Sequence, residues 1–176
     1  MKKIRIIAAV LFTALLMGCS MNLKDGVSYL EEGKYEEAIT AFQKAIEDEK
    51  YGEQAYRGVG IAHFEMGEYE EALHYFEAAF SFKEFGEDFE ETPSIYAMKA
   101  ACHLHLGELE EALELYGQAL ELECPEEMKQ EILFNEIAIY QELGDWETVK
   151  EKVAVYVDLY PDDTRMDKTV EFLETR

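Results

Sequence analysis

The chain has 176 residues, with 39 acidic against 16 basic side chains and a formal charge of −23. Its 48% apolar content is enough to bury a core, which excludes wholesale disorder, and three prolines with eleven glycines exclude collagen-like and proline-rich classes. So acidic a chain lacks the clustered Lys and Arg that neutralise phosphates, which argues against nucleic acid, and an anionic lipid surface would repel it.

The N-terminus offers another route to a membrane. Lys2, Lys3 and Arg5 precede an apolar run from Ile6 to Met17 that only Thr13 interrupts. That run is well short of the roughly 20 apolar residues that span a bilayer, and it has the length of a signal-peptide core. It ends in Leu16-Met17-Gly18-Cys19-Ser20. This resembles the lipobox of bacterial lipoproteins, although Met17 departs from the small or β-branched residue usual there. The resemblance implies that residues 1–18 are a signal peptide, that Cys19 carries acyl chains such as palmitate, and that residues 19–21 are a short tether. The alternative is an ordinary secretory signal with an incidental cysteine. Cleavage would remove three basic and no acidic residues, leaving 13 against 39 and a charge of −26. The expected location is extracytoplasmic, lipid-anchored to the cell membrane, or to the outer membrane if the cell is Gram-negative.

From Asn22 onward the chain repeats itself. Gly33-Lys34-Tyr35-Glu36-Glu37-Ala38 recurs as Gly67-Glu68-Tyr69-Glu70-Glu71-Ala72, as Gly107-Glu108-Leu109-Glu110-Glu111-Ala112 and, more loosely, as Gly144-Asp145-Trp146-Glu147-Thr148-Val149. Phe42, Phe76 and Tyr116 follow the alanines by one helical turn, and Ala45, Ala79 and Ala119 by two. Each glycine suits a left-handed helix end, each alanine a close helix crossing, and each aromatic a core stripe. These segments resemble the tetratricopeptide repeat, a pair of antiparallel helices of about 34 residues. The resemblance implies an all-α, right-handed solenoid of about four helix pairs over residues 22–160, in units 22–51, 52–85, 92–124 and 125–160. A capping helix is expected over 161–176, because one hairpin cannot bury its own apolar face and the last needs a cover. Helices are expected at 22–32, 35–48, 52–66, 69–84, 93–106, 109–122, 126–143, 146–159 and 163–174. Pro93 and Pro125 are expected in first turns. The insert at 82–92 mixes phenylalanine with acid and reads as a segment packing back on the array, with a partner-binding projection as the alternative.

Chemistry is sparse. Cys102 and His105 could share an ion, but His103 points to the opposite side of the helix, and two ligands do not close a zinc site. Cys102 and Cys124 are expected about 9 Å out of register along their hairpin, too far for a disulfide. Thr, Ser and Cys fall in no nucleophile motif, and the many Glu-Glu pairs read as a solvated helix face. No cofactor, no metal and no enzymatic activity are expected. Trp146 falls at a repeat core position, which gives little support to a sugar-binding reading.

In the tetratricopeptide family the first helix of each pair lines a concave groove that receives a peptide or a partner helix. Carried over by position, the groove here holds Val27, Leu30, Arg57, Ile61, Phe64, Leu104, His105, Phe134 and Gln141, with Ala97, Ala101 and Ala138 between them. Glu31, Glu65, Glu131 and Glu142 stand at its margin. Arg57 is nearly the only cation, so the family's clamp for a terminal carboxylate is not implied. The expected function is a lipid-anchored adaptor at the outer face of the membrane, binding a protein or peptide with apolar anchors and basic flanks, as in envelope assembly. The alternative is a self-associating structural protein of the envelope.

Overall fold

The computed structural model describes residues 21–47, 52–81 and 92–175. The expected signal peptide, Cys19 and all but the last residue of the 82–92 insert lie outside the described residues.

Among the described residues, four antiparallel helix pairs form the array: α1 (Met21–Glu31) with α2 (Tyr35–Glu47), α3 (Gly52–Met66) with α4 (Tyr69–Ser81), α5 (Pro93–Leu106) with α6 (Leu109–Glu121), and α7 (Glu126–Leu143) with α8 (Trp146–Leu159). The pairs stack in chain order into a right-handed solenoid. One local device closes each hairpin. Gly33, Gly67, Gly107 and Gly144 all take left-handed backbone angles, with φ between 71° and 81°. The next residue's N–H then donates to a carbonyl five residues back: Lys34 to Tyr29 at 2.8 Å, Glu68 to His63 and Glu108 to His103 at 2.9 Å, and Asp145 to Tyr140 at 3.0 Å. A Cβ at these positions would be strained, so the repeating glycine is a backbone requirement.

The alanines and aromatics of the second helices form the floor of each unit. Ala38, Phe42, Ala45, Ala72, Phe76, Ala79, Ala112 and Ala119 have no exposed surface at all. Gly26 and Gly58 explain how Phe42 fits. A Cβ built on either would lie 2.6 Å from the ring, so the ring is held between α1 and α3 with room for hydrogen only. Phe42 thereby joins the first unit to the second. In the fourth unit Val149, Val153 and Tyr156 take over these positions and are buried. The paired glutamates Glu36, Glu37, Glu70, Glu71, Glu110 and Glu111 are exposed, as a solvated face requires.

Three sequence expectations need correction. The C-terminal cap is not one helix from 163: a 3-10 turn at Thr164–Met166 leads into α9 (Asp167–Glu174), because Asp163 accepts from the Arg165 N–H instead of opening an α-helix. Pro125 precedes α7 at its cap position, whereas Pro93 does begin α5. Trp146 is not in the core. It is 41% exposed and packs against the Phe172 ring of α9, at 4.9 Å. In earlier units the corresponding Tyr35 and Tyr69 meet Glu65 and His105 of the next helix pair; beside Trp146 lies the short α9.

Candidate peptide-binding groove

The first helices touch one another in sequence, α1 on α3, α3 on α5 and α5 on α7, so together they form one continuous inner wall. On that wall Val27, Arg57, Ile61, Phe64, Ala97 and Leu104 are each 5–8% exposed, whereas core neighbours such as Ala38 and Val59 are at 0%. All six are buried to the same degree as core residues outside this wall such as Leu109 and Met128, so the wall meets water through Leu30, His105 and its glutamate margin. Leu30, Phe134, Ala138 and Gln141 are half-buried, Ala101 is fully buried, and His105 is exposed at its edge. Glu31, Glu65 and Glu142 are exposed along the margin.

Two second-helix tyrosines that the sequence reading left out complete the wall. Tyr69 of α4 stacks on His105 of α5 at 4.5 Å and 6°, and Phe64 meets both rings edge-on at 5.4 Å. Tyr35 donates its hydroxyl to Glu65 in the equivalent place one unit earlier. Both tyrosines lie two residues after the hairpin glycine, and that shared spacing is the signal that could have found them. Burial disfavours charge here. It lowers the His105 pKa, so the imidazole stays neutral at neutral pH, and it raises Glu65 despite the hydrogen bond from Tyr35, which acts the other way. His105 is therefore an inter-unit stacking element as well as a groove residue.

Arg57 lies on the floor between the second and third units. Its Nη1 donates to the Ser94 hydroxyl at 3.1 Å and stands 3.7 Å from Glu53. Its Nε and Nη2 have no hydrogen-bond partner among the described residues. Outside the groove, His63 and His103 sit at equivalent positions and pair with Glu68 at 2.7 Å and Glu108 at 2.6 Å, each tying a first helix to the turn after it. This use of the two histidines was not legible from spacing alone.

The fourth unit differs. Phe134 and Gln141 are half-buried where Phe64 is buried, and what they touch is the segment after α8 instead of a neighbouring repeat. The Arg165 guanidinium lies 4.3 Å from the Phe134 ring centroid, and its Nη1 donates to Glu131 at 2.7 Å. Gln141 donates to Thr169 of α9 at 3.1 Å. The structure thus brings the first three units' predicted groove residues together on one wall and places Phe134 and Gln141 of the fourth unit in contact with the segment after α8.

Cys102 and Cys124 are both free, and burial pushes the Cys102 thiol up to about 12, which makes it a poor nucleophile at neutral pH. Among the described residues no group of three or more His, Cys, Asp or Glu could hold a metal ion, and no helix is long and apolar enough to cross a membrane.

Stacked antiparallel helix pairs with a shared inner wall define an α-solenoid. The tetratricopeptide repeat family model matches residues 52–122, and a second model, described as TPR repeat, matches residues 26–67. The chain is a tetratricopeptide repeat protein. No curated protein matches the sequence. Among solved structures it is similar to YrrB, a TPR protein with an unusual peptide-binding site, at 21% identity, covering 80% of this chain and 68% of that one with a TM-score of 0.63. It is similar to Pseudomonas aeruginosa pilF at 18% identity, covering 85% of this chain and 64% of that one with a TM-score of 0.66. The first TPR of Spaghetti (RPAP3) bound to the HSP90 peptide SRMEEVD is 24% identical over 70% of this chain and 90% of that one, with a TM-score of 0.58. At these identities the likeness is one of fold.

Proposed function

We propose that this protein is a lipid-anchored adaptor that binds a protein or peptide segment in its concave groove at the outer face of a bacterial membrane, in a role such as envelope assembly. The observation that carries the binding half is the wall itself: the first helices of successive units touch in order and bring Leu30, Ile61, Phe64, Leu104 and His105 to one side of the array. Spaghetti and YrrB, which share the fold, are described with a bound peptide and a peptide-binding site. The anchoring half rests on the apolar run ending in Gly18-Cys19.

The chemistry of the wall sets the kind of segment. Glu31, Glu65 and Glu142 rim it on a chain of formal charge −23. An acidic tail such as SRMEEVD would meet repulsion here, with Arg57 as the counter-charge on the groove floor. A segment with apolar anchors and flanking Lys or Arg fits better: the anchors supply affinity and the charges mainly speed encounter. The role is binding, with no catalytic step.

Calorimetry with a partner recovered from the native envelope tests the reading. Phe64→Ala should weaken binding about 5- to 150-fold, worth roughly 1–3 kcal/mol. His74→Ala, on the exposed side of α4, should leave it unchanged. Equal affinities of the two folded variants would remove the groove from the account. Self-association is the second reading, favoured by the apolar side chains Leu143, Trp146 and Val157 left exposed at the array's C-terminal end.

A further inference from the structure

Resting on the groove reading, we infer that the segment from Asp163 to Glu174 is a strap that closes the fourth unit's part of the groove and opens independently of the array, with Arg165 as its latch.

The latch is built from both sides. On the strap side, Asp163 accepts from the Arg165 Nε at 2.9 Å and Nη2 at 2.6 Å, which fixes the guanidinium plane. The Tyr156 hydroxyl accepts from Nη2 at 2.9 Å and donates to Asp163. On the groove side the same guanidinium covers the face of Phe134 and pairs with Glu131. Cation–π contact and a charge-assisted bond thus act on one group, and both partners are groove residues. An arginine of the chain itself occupies the place where a partner's basic residue would sit.

Beyond the latch the strap is weakly held. α9 has eight residues and none of them is buried. A helix so short is not stable alone. Val170, Phe172 and Leu173 are only half-covered, and Met166, in the turn before α9, is the one buried side chain of the strap. Its apolar hold is the packing of Met166, Val170 and Leu173 on the cluster around Ile137, Val149 and Val153, and its other hydrogen bonds to α7 run from Gln130 to Asp163 at 2.8 Å and from Gln141 to Thr169 at 3.1 Å. By contrast α8 buries Val149, Val153 and Tyr156. Few buried apolar contacts and several exchangeable polar ones are the signature of a segment that opens below the global unfolding limit. Opening uncovers Phe134, Glu131 and Gln141 and lengthens the groove from three units to four. A partner segment carrying an arginine competes with Arg165 for the same ring and carboxylate.

Amide hydrogen exchange on the full chain tests this without a ligand, so a groove that binds nothing leaves the outcome intact. In the wild type, α9 amides should be protected yet exchange about tenfold or more faster than those of Val149–Tyr156. Arg165→Ala should speed α9 about tenfold further while α8 stays within about twofold. Glu131→Gln, which removes the pairing from the groove side, should act in the same direction, and Arg165→Lys should restore part of the protection. If α8 and α9 exchange as one unit in every variant, the segment is an integral cap and the inference fails. It fails equally if α9 is unprotected in the wild type, or if neither Arg165→Ala nor Glu131→Gln changes its rate.

Discussion

Replacing Gly58 by alanine tests the packing that joins the first two units. A Cβ there would lie 2.6 Å from Cε2 and Cζ of Phe42 and 2.7 Å from Cε1. Carbon atoms rest at about 3.5–4.0 Å, so α3 and the ring must separate by roughly 1 Å. The ring cannot retreat, because Gly26 of α1 stands equally close on it. Overpacking of this kind costs about 1–3 kcal/mol, and alanine in a helix interior returns about 0.5–1 kcal/mol. The net is roughly 1–2 kcal/mol of destabilisation, or a fall in Tm of about 2–8 °C for a chain of this length. Thermal unfolding followed by circular dichroism reads it. Gly117→Ala in α6 is the control, since no described atom lies within 4 Å of its Cβ, and it should melt slightly above the wild type. Phe42→Leu in the Gly58→Ala background should recover part of the loss, giving a coupling above about 0.5 kcal/mol in a double-mutant cycle. A Gly58→Ala protein that melts with or above Gly117→Ala would refute the clamped-ring account.

Ala112, fully buried where α6 crosses α5, should lose about 1–3 kcal/mol on change to Leu, whereas exposed Glu70→Gln should shift Tm little, both by the same melting assay. Tyr116→Phe removes the hydroxyl that accepts from Asn135 Nδ2 at 3.0 Å inside the core, so a buried amide loses its partner and urea unfolding should show a loss of about 1–3 kcal/mol. His105 has its folded pKa lowered by burial, so the unfolded state binds its proton more readily; its effect on stability is absent above about pH 6.5 and becomes destabilising as pH falls below it. Urea midpoints at pH 7.5 and 5.0 should therefore drop less for His105→Gln than for the wild type. Phe172→Ala should raise acrylamide quenching of the lone Trp146, because the two rings pack at 4.9 Å.

Recurrence is what made the fold legible in the sequence. Gly33, Gly67, Gly107 and Gly144 meet one backbone requirement four times, and Phe42, Phe76 and Tyr116 fill one cavity three times, so a single spacing exposes the hairpin, its register and its core. The same logic misplaced Trp146. Its position in the repeat is a covered one where a full hairpin packs beside it, and what packs beside it here is the eight-residue α9. Repetition also hid Arg165, which belongs to no repeat and whose partners Phe134 and Glu131 are reached only after the chain turns at Pro161. His105 shows an intermediate case. Its place on the groove wall follows from the repeat, but its stacking on Tyr69 depends on how one unit leans on the next, which no local pattern records.

The most direct test of the adaptor account is site-specific photo-crosslinking in intact envelope membranes, with a photoreactive phenylalanine at Glu65 or Glu142 on the groove margin and at His74 or Glu114 on the second helices. All four side chains are exposed, so reactivity alone does not separate them. The expected result is one discrete crosslinked species of the same mass from Glu65 and Glu142, absent from His74 and Glu114, and lost when Cys19→Ala releases the protein from the membrane. Equal crosslinking from both faces, or a species only from His74 and Glu114, would contradict a partner seated in the groove.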